Sequence, residues 1–412
     1  MPTCNAISWT WSTLREHLRN GHYTPLALSQ VVELVSDTIR VAADLVWQSG
    51  FLSGWKLRRM SRVTMESWNH FGNGTPFRSI GQELERVNLS GNAIPARNYF
   101  DAAGITEPLQ TRYIEPCARA VFSNNLGHMS ALSSLVAGQR SWPLSIRGGN
   151  KRLAENMISL SGARLELGSR VIHVESGSTR RYRLLIDRVG KPGNQSVSHE
   201  DEFDIVIIAA PMMGGDAEFL KLRDVEWGVL KTARVQSHVT LFTTELPLSA
   251  HYFVSNTRSS VPYGPWILLT TSKSSVSPNI ISITKESSPF IDRSACDPIV
   301  PASHGWDIGE CDQVVYKYVY RIQSHTPLRD DEIAELVGRK LVDGSDLQSL
   351  GISWIHRKAW TSPSYDPSLP LPGRIELAHN LFYLGTAGLV LDTMETSCRM
   401  GQNVAYLVQT SA

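Results

Sequence analysis

The sequence lacks an excess of either charge. Its 412 residues include 40 Lys and Arg against 39 Asp and Glu, which gives a formal net charge of +1. Such a balance provides no field of one sign to hold a polyanion, so we predict no nucleic-acid partner. The longest apolar run, Ile205 to Met213, is far shorter than the roughly 20 residues of a membrane-spanning helix. The first thirty residues contain no apolar run typical of a signal peptide.

Cysteine is scarce and widely spaced. No C-x-x-C pair occurs and the 12 histidines are scattered, so we predict neither a redox dithiol nor a metal site. Cys296 and Cys311 could pair in a secreted chain, although buried free thiols are the more common state. Sequons at Asn73, Asn88 and Asn194 matter only if the chain enters a secretory compartment. The five cysteines are Cys4, Cys117, Cys296, Cys311 and Cys398.

Several catalytic motifs are also missing. The sequence contains no G-x-S-x-G of an esterase and no H-E-x-x-H of a metalloprotease. It also contains no G-x-G-x-x-G, the glycine-rich turn that holds a dinucleotide pyrophosphate at a helix N-terminus. Hydrolysis by these motifs is therefore excluded, and a complete dinucleotide-binding domain is not expected.

The pattern of apolar residues predicts an α/β protein. Helical spacing is found in the first third and near the C-terminus, and short β-branched or alternating runs lie between them. We predict helices at residues 26–47, 51–71, 106–121, 148–161, 330–341 and 392–407. We predict strands at residues 163–174, 182–187, 203–209, 235–243, 266–271, 279–284, 313–320 and 381–385, with a polar loop at 188–202.

The C-terminal segment from Asn380 to Ala405 is the most informative. A short strand ends at Gly385, a loop follows, and Thr393, Met394 and Glu395 open a helix. Free backbone N–H groups at a helix start favour an anionic or electron-rich ligand, such as a flavin carbonyl. An ordinary strand, loop and helix closing a domain is the alternative.

This segment resembles the last strand and helix of flavin oxidases. Its T-M-E-T-S and the following G-x-N-V-A are similar to fungal members of the prenylcysteine oxidase (prenylcysteine lyase) family. Three upstream segments agree in order: R-G-G-N-K at 147–151, F-D-I-V-I-I-A-A-P at 203–211, and R-K-A-W-T-S-P-S-Y-D-P at 357–367. The resemblance extends from about residue 25 to the end of the chain.

The resemblance implies a two-domain flavin-oxidase architecture with an incomplete Rossmann-like FAD domain. Residues 1–145 would form a mainly helical cap, 146–215 and 375–412 the rest of the FAD domain, and 216–374 a substrate domain with a mixed sheet. The implied reaction cleaves prenylcysteine, an apolar thioether, to a prenyl aldehyde, cysteine and hydrogen peroxide with FAD as cofactor. The implied compartment is vacuolar, lysosomal or secretory.

The resemblance also assigns candidate cofactor contacts. Gly148 and Gly149 would let the backbone approach the flavin, although Gly-Gly before a helix is also a common turn. Val171 would contact the adenine through its backbone, with a core valine as the alternative. Trp360 and Tyr365 would flank the flavin ring or simply anchor a loop. The full candidate set is Gly148, Gly149, Val171, Pro211, Trp360, Gly385, Thr393, Met394 and Glu395, and no catalytic side chain is assigned.

Some positions differ from the family pattern. The family's R-V-N-Y-G-Q is R-A-V-F-S-N at 119–124, and its G-I-E is T-A-G at 386–388. If these positions recognise the charged ends of cysteine, this chain binds a different substrate. Because the glycine-rich phosphate cradle is absent, we also predict that this chain binds FAD weakly or not at all. Two other functional hypotheses stay open. The chain is a non-catalytic remnant that binds an apolar ligand or a partner, or it is a relative adapted to oxidation in secondary metabolism.

A basic and aromatic cluster lies on the predicted helix at 51–71. It contains Trp55, Lys56, Arg58, Arg59 and Arg62. Such a cluster can contact a membrane surface, but a solvated helix face is the interpretation that the sequence favours.

Overall fold

A computed structural model provides the fold. It describes residues 47, 50–138, 146, 148–176, 181–188, 197–210, 233–249, 267–269, 278–285, 290–292, 315–342, 345–364 and 373–411. Helices and sheets are mixed along the chain, as the α/β prediction requires.

The helices fall mainly before residue 162. They are α1 (Phe51–Asn69), α2 (Ile80–Arg86), α3 (Ala96–Ala102), α4 (Glu107–Leu109), α5 (Glu115–Phe122), α6 (Ala131–Ala137), α7 (Lys151–Ser161), α8 (Asp330–Leu336) and α9 (Met394–Ser411). A π-helical turn, Gln110–Ile114, joins α4 to α5, and a 3-10 turn, Gly385–Leu389, precedes α9.

The strands form three sheets among the described residues. They are β1 (Ser169–Ser176), β2 (Tyr182–Arg188), β3 (Val197–Phe203), β4 (Val206–Ile208), β5 (Ala233–Thr244), β6 (Ile267–Leu269), β7 (Ile280–Lys285), β8 (Phe290–Asp292), β9 (Val315–Ser324), β10 (Ile352–Ser364), β11 (Glu376–Ala378) and β12 (Leu381–Tyr383). The sheet orders are β1-β2-β3, β10-β5-β9-β7-β6 with β8 paired to β9, and β11-β12-β4.

The chain divides into two compact units. The first comprises Met1–Arg59, Ala96–Met129 and Val235–Ser362. It contains the six-stranded sheet, in which β9 pairs antiparallel with β5, β7 and β8. One face of this sheet and α8 share an apolar core that includes Phe242, Ile283, Tyr320, Ile322, Ile333 and Leu336. Burying these side chains is the main stabilising contribution in this unit.

The second unit comprises Met60–Pro95, Ser130–Arg234 and Pro363–Ala412. Its meander β1-β2-β3 and its small sheet β11-β12-β4 share a core of Val174, Tyr182, Leu184, Ile186, Val206, Leu381 and Tyr383. Strand β12 pairs parallel with β4, with Leu381 opposite Val206. The strands predicted at 203–209 and 381–385 are therefore neighbours in one sheet. The small sheet is nevertheless mixed, because β11 and β12 form an antiparallel hairpin.

The structure corrects several predicted elements. The predicted loop at 188–202 contains most of β3, because its polar residues pair with the apolar strand β2 along its whole length. The strand predicted from residue 163 begins at Ser169, after a turn at Gly168 with a φ of +71°. Helix α8 ends at Leu336 because Gly338 adopts a φ of +72°. Strand β10 was not predicted, and the helix predicted at 26–47 lies outside the described residues except Trp47.

Cys117 on α5 is buried and disulfide-bonded, and its partner lies outside the described residues. The proposed pair Cys296 and Cys311 also lies outside them. Cys398 is an exposed free thiol on α9.

Candidate functional site

The junction between β12 and α9 brings together four predicted site residues. Gly385 opens the 3-10 turn that follows β12, and Thr393 immediately precedes α9. The Thr393 hydroxyl accepts a hydrogen bond from the Thr396 backbone N–H at 3.2 Å and lies 2.9 Å from the Thr396 hydroxyl. Thr393 therefore caps the helix, as threonine commonly does at this position.

Two backbone N–H groups at the start of α9 remain open. The first helical hydrogen bond runs from Ser397 to the Thr393 carbonyl. Within the described residues, no acceptor is found for the N–H groups of Met394 and Glu395. Because the helix dipole is positive at this end, these groups suit an anionic or electron-rich ligand atom.

A buried hydroxyl in the same loop also lacks a partner. Thr386 is fully buried, and its Oγ1 makes no hydrogen bond within the described part of the chain. Leaving a buried hydroxyl unpaired costs about 1–3 kcal/mol. Because the Thr386 hydroxyl is fully buried, it presents no surface to a ligand. Sequence reasoning did not single out Thr386, because burial of a loop threonine depends on tertiary packing.

Two serines hold the loop before α9. Ser133 donates a hydrogen bond from its hydroxyl to the Val390 carbonyl at 2.7 Å, and the Ser130 hydroxyl donates to the same carbonyl. Ser130 also caps α6 by accepting from the Ser133 backbone N–H at 3.0 Å. The position of the loop is therefore fixed by a helix that lies about 260 residues earlier in the sequence.

The quoted G-x-N-V-A motif has a structural explanation. Asn403 is buried, and its amide accepts from the Phe77 N–H at 2.9 Å and donates to the Phe77 carbonyl at 2.8 Å. Arg399 donates to the Trp68 carbonyl at 2.9 Å and to the Phe71 carbonyl. These contacts fix α9 against the chain that follows α1.

Glu395 is engaged by the same helix. Its carboxylate pairs with Arg399 at 2.6 Å, one helical turn further along. A contact between Glu395 and a cofactor therefore involves its backbone N–H more readily than its carboxylate.

Gly385 is constrained by a neighbouring ring. A Cβ at this position would lie 2.4 Å from the Tyr383 hydroxyl oxygen and 2.6 Å from the Cζ atom of its ring. Tyr383 is buried in the core of the second unit, so its ring cannot move away freely. Packing against the Tyr383 ring therefore favours glycine at position 385 whether or not a cofactor binds.

The Gly148-Gly149 turn requires glycine because of its backbone conformation rather than its packing. Both glycines have positive φ, +88° and +93°. A Cβ at Gly149 would meet nothing within 4 Å, whereas one at Gly148 would lie 2.7 Å from the flexible Arg152 guanidinium. The backbone conformation therefore requires these glycines, and the space beside Gly149 is open. Their contact with a flavin stays a prediction.

The remaining candidates are spread over the molecule. Val171 lies on β1, an edge strand of the described meander, and its side chain is exposed, so the core-valine alternative does not hold. Trp360 is exposed on β10 in the first unit, with the Lys358 ammonium 4.2 Å from its ring centre. Pro211 and Tyr365 lie outside the described residues.

Arg119, which begins the divergent stretch at 119–124, has a clear structural role. It is buried and donates hydrogen bonds to the carbonyls of Ile280 and Ile281, at 3.1 and 3.2 Å. These carbonyls lie at an irregularity in the pairing of β7 with β9, where an extra residue leaves the ladder. Burial lowers the pKa of Arg119, while Glu115 acts in the opposite direction.

Neither a metal cluster nor a membrane span is found in the described residues. No group of three His, Cys, Asp or Glu side chains there could hold a metal ion. No described helix is both long and apolar enough to cross a bilayer.

Comparison with known proteins identifies the relationship. The model of the prenylcysteine lyase family matches residues 39–412, nearly the whole chain. The chain belongs to the prenylcysteine lyase family. The family match covers the junction of β12 with α9, the Gly148-Gly149 turn and the sheet of the first unit.

Two mammalian relatives are similar to this family member. Prenylcysteine oxidase 1 of Rattus norvegicus is 24% identical over 318 residues, which cover 76% of this chain and 56% of the rat protein. Prenylcysteine oxidase 1 of Mus musculus is 23% identical over 385 residues, covering 88% of this chain and 67% of the mouse protein. The chain thus spans between about half and two thirds of the length of these relatives.

Proposed function

We propose that this chain forms the flavin-ring and substrate part of an FAD-dependent oxidase of apolar thioethers such as prenylcysteine. The observation that carries the proposal is the junction of β12 with α9 in a member of this family, where two N–H groups at the helix start have no acceptor among the described residues. FAD, when bound, would accept a hydride from the carbon next to sulfur. Water addition would then give the aldehyde and cysteine, and oxygen would be reduced to hydrogen peroxide.

The residues of the junction would act by binding and orientation. The open N–H groups of Met394 and Glu395 would bond an oxygen that gains negative charge on flavin reduction, and the helix dipole would add to this effect. Ser130, Ser133 and Asn403 are positioning residues, because they hold the loop and the helix rather than any ligand.

The phosphate side of the cofactor does not fit this chain. The sequence has no G-x-G-x-x-G, so no glycine-rich turn is available for a pyrophosphate. We therefore propose that the dinucleotide-binding domain is incomplete in these 412 residues, and that the chain alone binds FAD weakly or not at all.

Uncovered apolar surface in the second unit supports an incomplete domain. Helix α7 has no buried residue, and its Met157 and Leu160 are 55% and 87% exposed. Strand β4 is an edge strand among the described residues, and its Ile207 is 47% exposed. Strand β4 pairs parallel with β12, and parallel strands normally have both faces covered, so the exposed Ile207 supports a further neighbour of this strand.

The non-catalytic remnant is the second candidate function, and the same uncovered surface favours it. A chain that has lost its phosphate cradle could keep the rest of the fold for an apolar ligand or a protein partner. The adapted oxidase of secondary metabolism is compatible with the changes at 119–124 and 386–388, which leave recognition of the amino-acid end of the substrate open.

Met394 allows a direct test of the flavin position. Its side chain is exposed at the first position of α9, so Met394→Asp should leave the fold intact and even favour the helix. An extra carboxylate there would repel the electron-rich flavin carbonyl oxygen that the N–H groups of Met394 and Glu395 would bond. At high protein concentration, we expect the unmodified chain to quench flavin fluorescence weakly. Met394→Asp should quench the fluorescence less, and Met394→Gln should quench it as much as the unmodified chain does.

The oxidase and remnant hypotheses differ in two further measurements. The purified chain should be colourless, and a stoichiometric flavin spectrum would contradict the incomplete domain. A longer form that includes a dinucleotide-binding segment should release peroxide with farnesylcysteine if the oxidase proposal is right. Peroxide with only an isoprenoid lacking cysteine would indicate an adapted oxidase, and peroxide with neither would leave the remnant.

A further inference from the structure

The N-terminal part of α1 and Trp47, four residues before its first residue, expose aromatic and basic side chains. Trp47, Phe51, Leu52 and Trp55 are 89%, 71%, 71% and 52% exposed. Three basic residues, Lys56, Arg58 and Arg59, follow directly and are exposed as well. We call these seven residues the α1 patch. All of them belong to the first unit.

The solvated-face interpretation does not account for this arrangement. A solvated helix normally exposes polar residues, and isolated apolar ones need no explanation. Here four large apolar side chains lie within nine residues, and between Phe51 and Arg59 only Ser53 is buried. A Cβ added at Gly50 or Gly54 would meet no atom within 4 Å, so the surface of this helix is open on several sides.

The α1 patch is positively charged, which favours a negatively charged binding surface. No acidic residue occurs between Trp47 and Met65, and Glu66 is the first carboxylate of α1. Arg59 lies 5.7 Å from the centre of the Trp55 ring, so cation and aromatic group act at one place. Tryptophan and basic residues side by side are typical of protein segments that lie in the headgroup region of a membrane.

We propose that the α1 patch binds the surface of an anionic lipid bilayer. The apolar side chains would enter the boundary between headgroups and acyl chains, and the three basic residues would bind lipid phosphates and carboxylates. The binding would be peripheral, and it does not depend on the proposed oxidase activity. Contact with a second copy of the chain through the same residues is the alternative that the test must separate.

The test is flotation of the full chain with phosphatidylcholine vesicles that contain or lack phosphatidylserine, at low and high salt. We expect binding that requires phosphatidylserine and weakens with salt. The triple variant Lys56→Gln, Arg58→Gln, Arg59→Gln should lose roughly 100-fold in partitioning, at about fivefold for each basic residue. Phe51→Ser with Trp55→Ser should lower partitioning as well.

A matched control removes two exposed aromatic side chains elsewhere, Trp354→Ser with Tyr406→Ser, and should bind vesicles like the unmodified chain. Circular dichroism would verify that all variants are folded. Absence of binding to phosphatidylserine vesicles, or equal binding to both vesicle types, would overturn the proposal. So would a concentration-dependent dimer that the Phe51→Ser and Trp55→Ser substitutions convert to a monomer.

Discussion

Lys285 is a buried ammonium group in the sheet of the first unit. Its Nζ lies 4.9 Å from the centre of the Tyr318 ring, and burial lowers its pKa from the ordinary value of 10.5. The folded protein therefore binds this proton less tightly than the unfolded chain. The Lys285 ammonium group should therefore lower the free energy of unfolding at neutral pH. This destabilisation should disappear as the pH rises towards 10.5.

Lys285→Met should therefore stabilise the protein at neutral pH, by about 1–3 kcal/mol if desolvation dominates. Urea unfolding of both proteins at pH 7 and near pH 10 would measure this, with the difference between them shrinking at the higher pH. A loss of stability in the variant at pH 7 would indicate that the contacts of Lys285 outweigh its desolvation.

Two glycines of one 3-10 turn should respond differently to alanine. Gly385→Ala places a Cβ against the buried Tyr383 ring, so we expect a loss of about 1–3 kcal/mol from overpacking. At Gly388 the nearest atom to an added Cβ is the Asp392 carboxylate oxygen at 3.8 Å, so Gly388→Ala should change stability by less than about 1 kcal/mol. Thermal unfolding would compare them. Equal stability would show that the Tyr383 ring yields.

The contrast at Gly385 also affects how the site can be located. A bulky residue there would disturb the core whether or not a flavin binds, so loss of flavin would not by itself locate the cofactor. Met394 is the better probe, because its side chain is exposed.

At the scale of the element, α9 depends on one buried amide. Asn403 makes two hydrogen bonds to the backbone of Phe77, so Asn403→Ala leaves a buried N–H and a buried carbonyl unpaired. We expect a loss of about 2–4 kcal/mol, taking about 1–2 for each group. Gln402→Ala, at an exposed position of the same helix, is the matched control and should change little. Denaturant unfolding would measure the free energy of unfolding of both variants. Equal effects of the two substitutions would refute the role of Asn403 in anchoring α9.

Some helices and strands can be predicted from the local periodicity of apolar residues alone. The predicted helix at 51–71 corresponds to α1, and the predicted strand at 182–187 to β2, because each carries its own apolar pattern. Strand β3 has no such pattern and becomes a strand because β2 offers it a partner, including a pair of Arg183 and Glu202 at 3.9 Å. Pairing with another strand is not visible in the periodicity of the segment itself.

At the scale of the whole molecule, the cysteines report on the environment of the chain. Cys117 is buried in a disulfide, whereas Cys398 is exposed and free. A structural disulfide is typical of an oxidising compartment, which agrees with the vacuolar, lysosomal or secretory compartment that the family resemblance implies. In the folded protein, a thiol reagent should label Cys398 but not Cys117 until a reductant and denaturant are added. Peptide mapping would check this, and labelling of Cys117 without reductant would contradict the disulfide.

The sequence by itself determined the family, the α/β class and the order of the main elements, because these depend on local motifs and on residue periodicity. It also located the junction at Gly385 and Thr393, since a strand, a glycine and a helix cap are neighbours along the chain. Only the tertiary structure decided that Thr386 is buried with no hydrogen-bond partner among the described residues, and that Asn403 bonds the backbone of Phe77. It alone showed that α7 and the N-terminal part of α1 leave apolar side chains bare. Burial and pairing depend on which distant residues meet in space, and no local pattern encodes that.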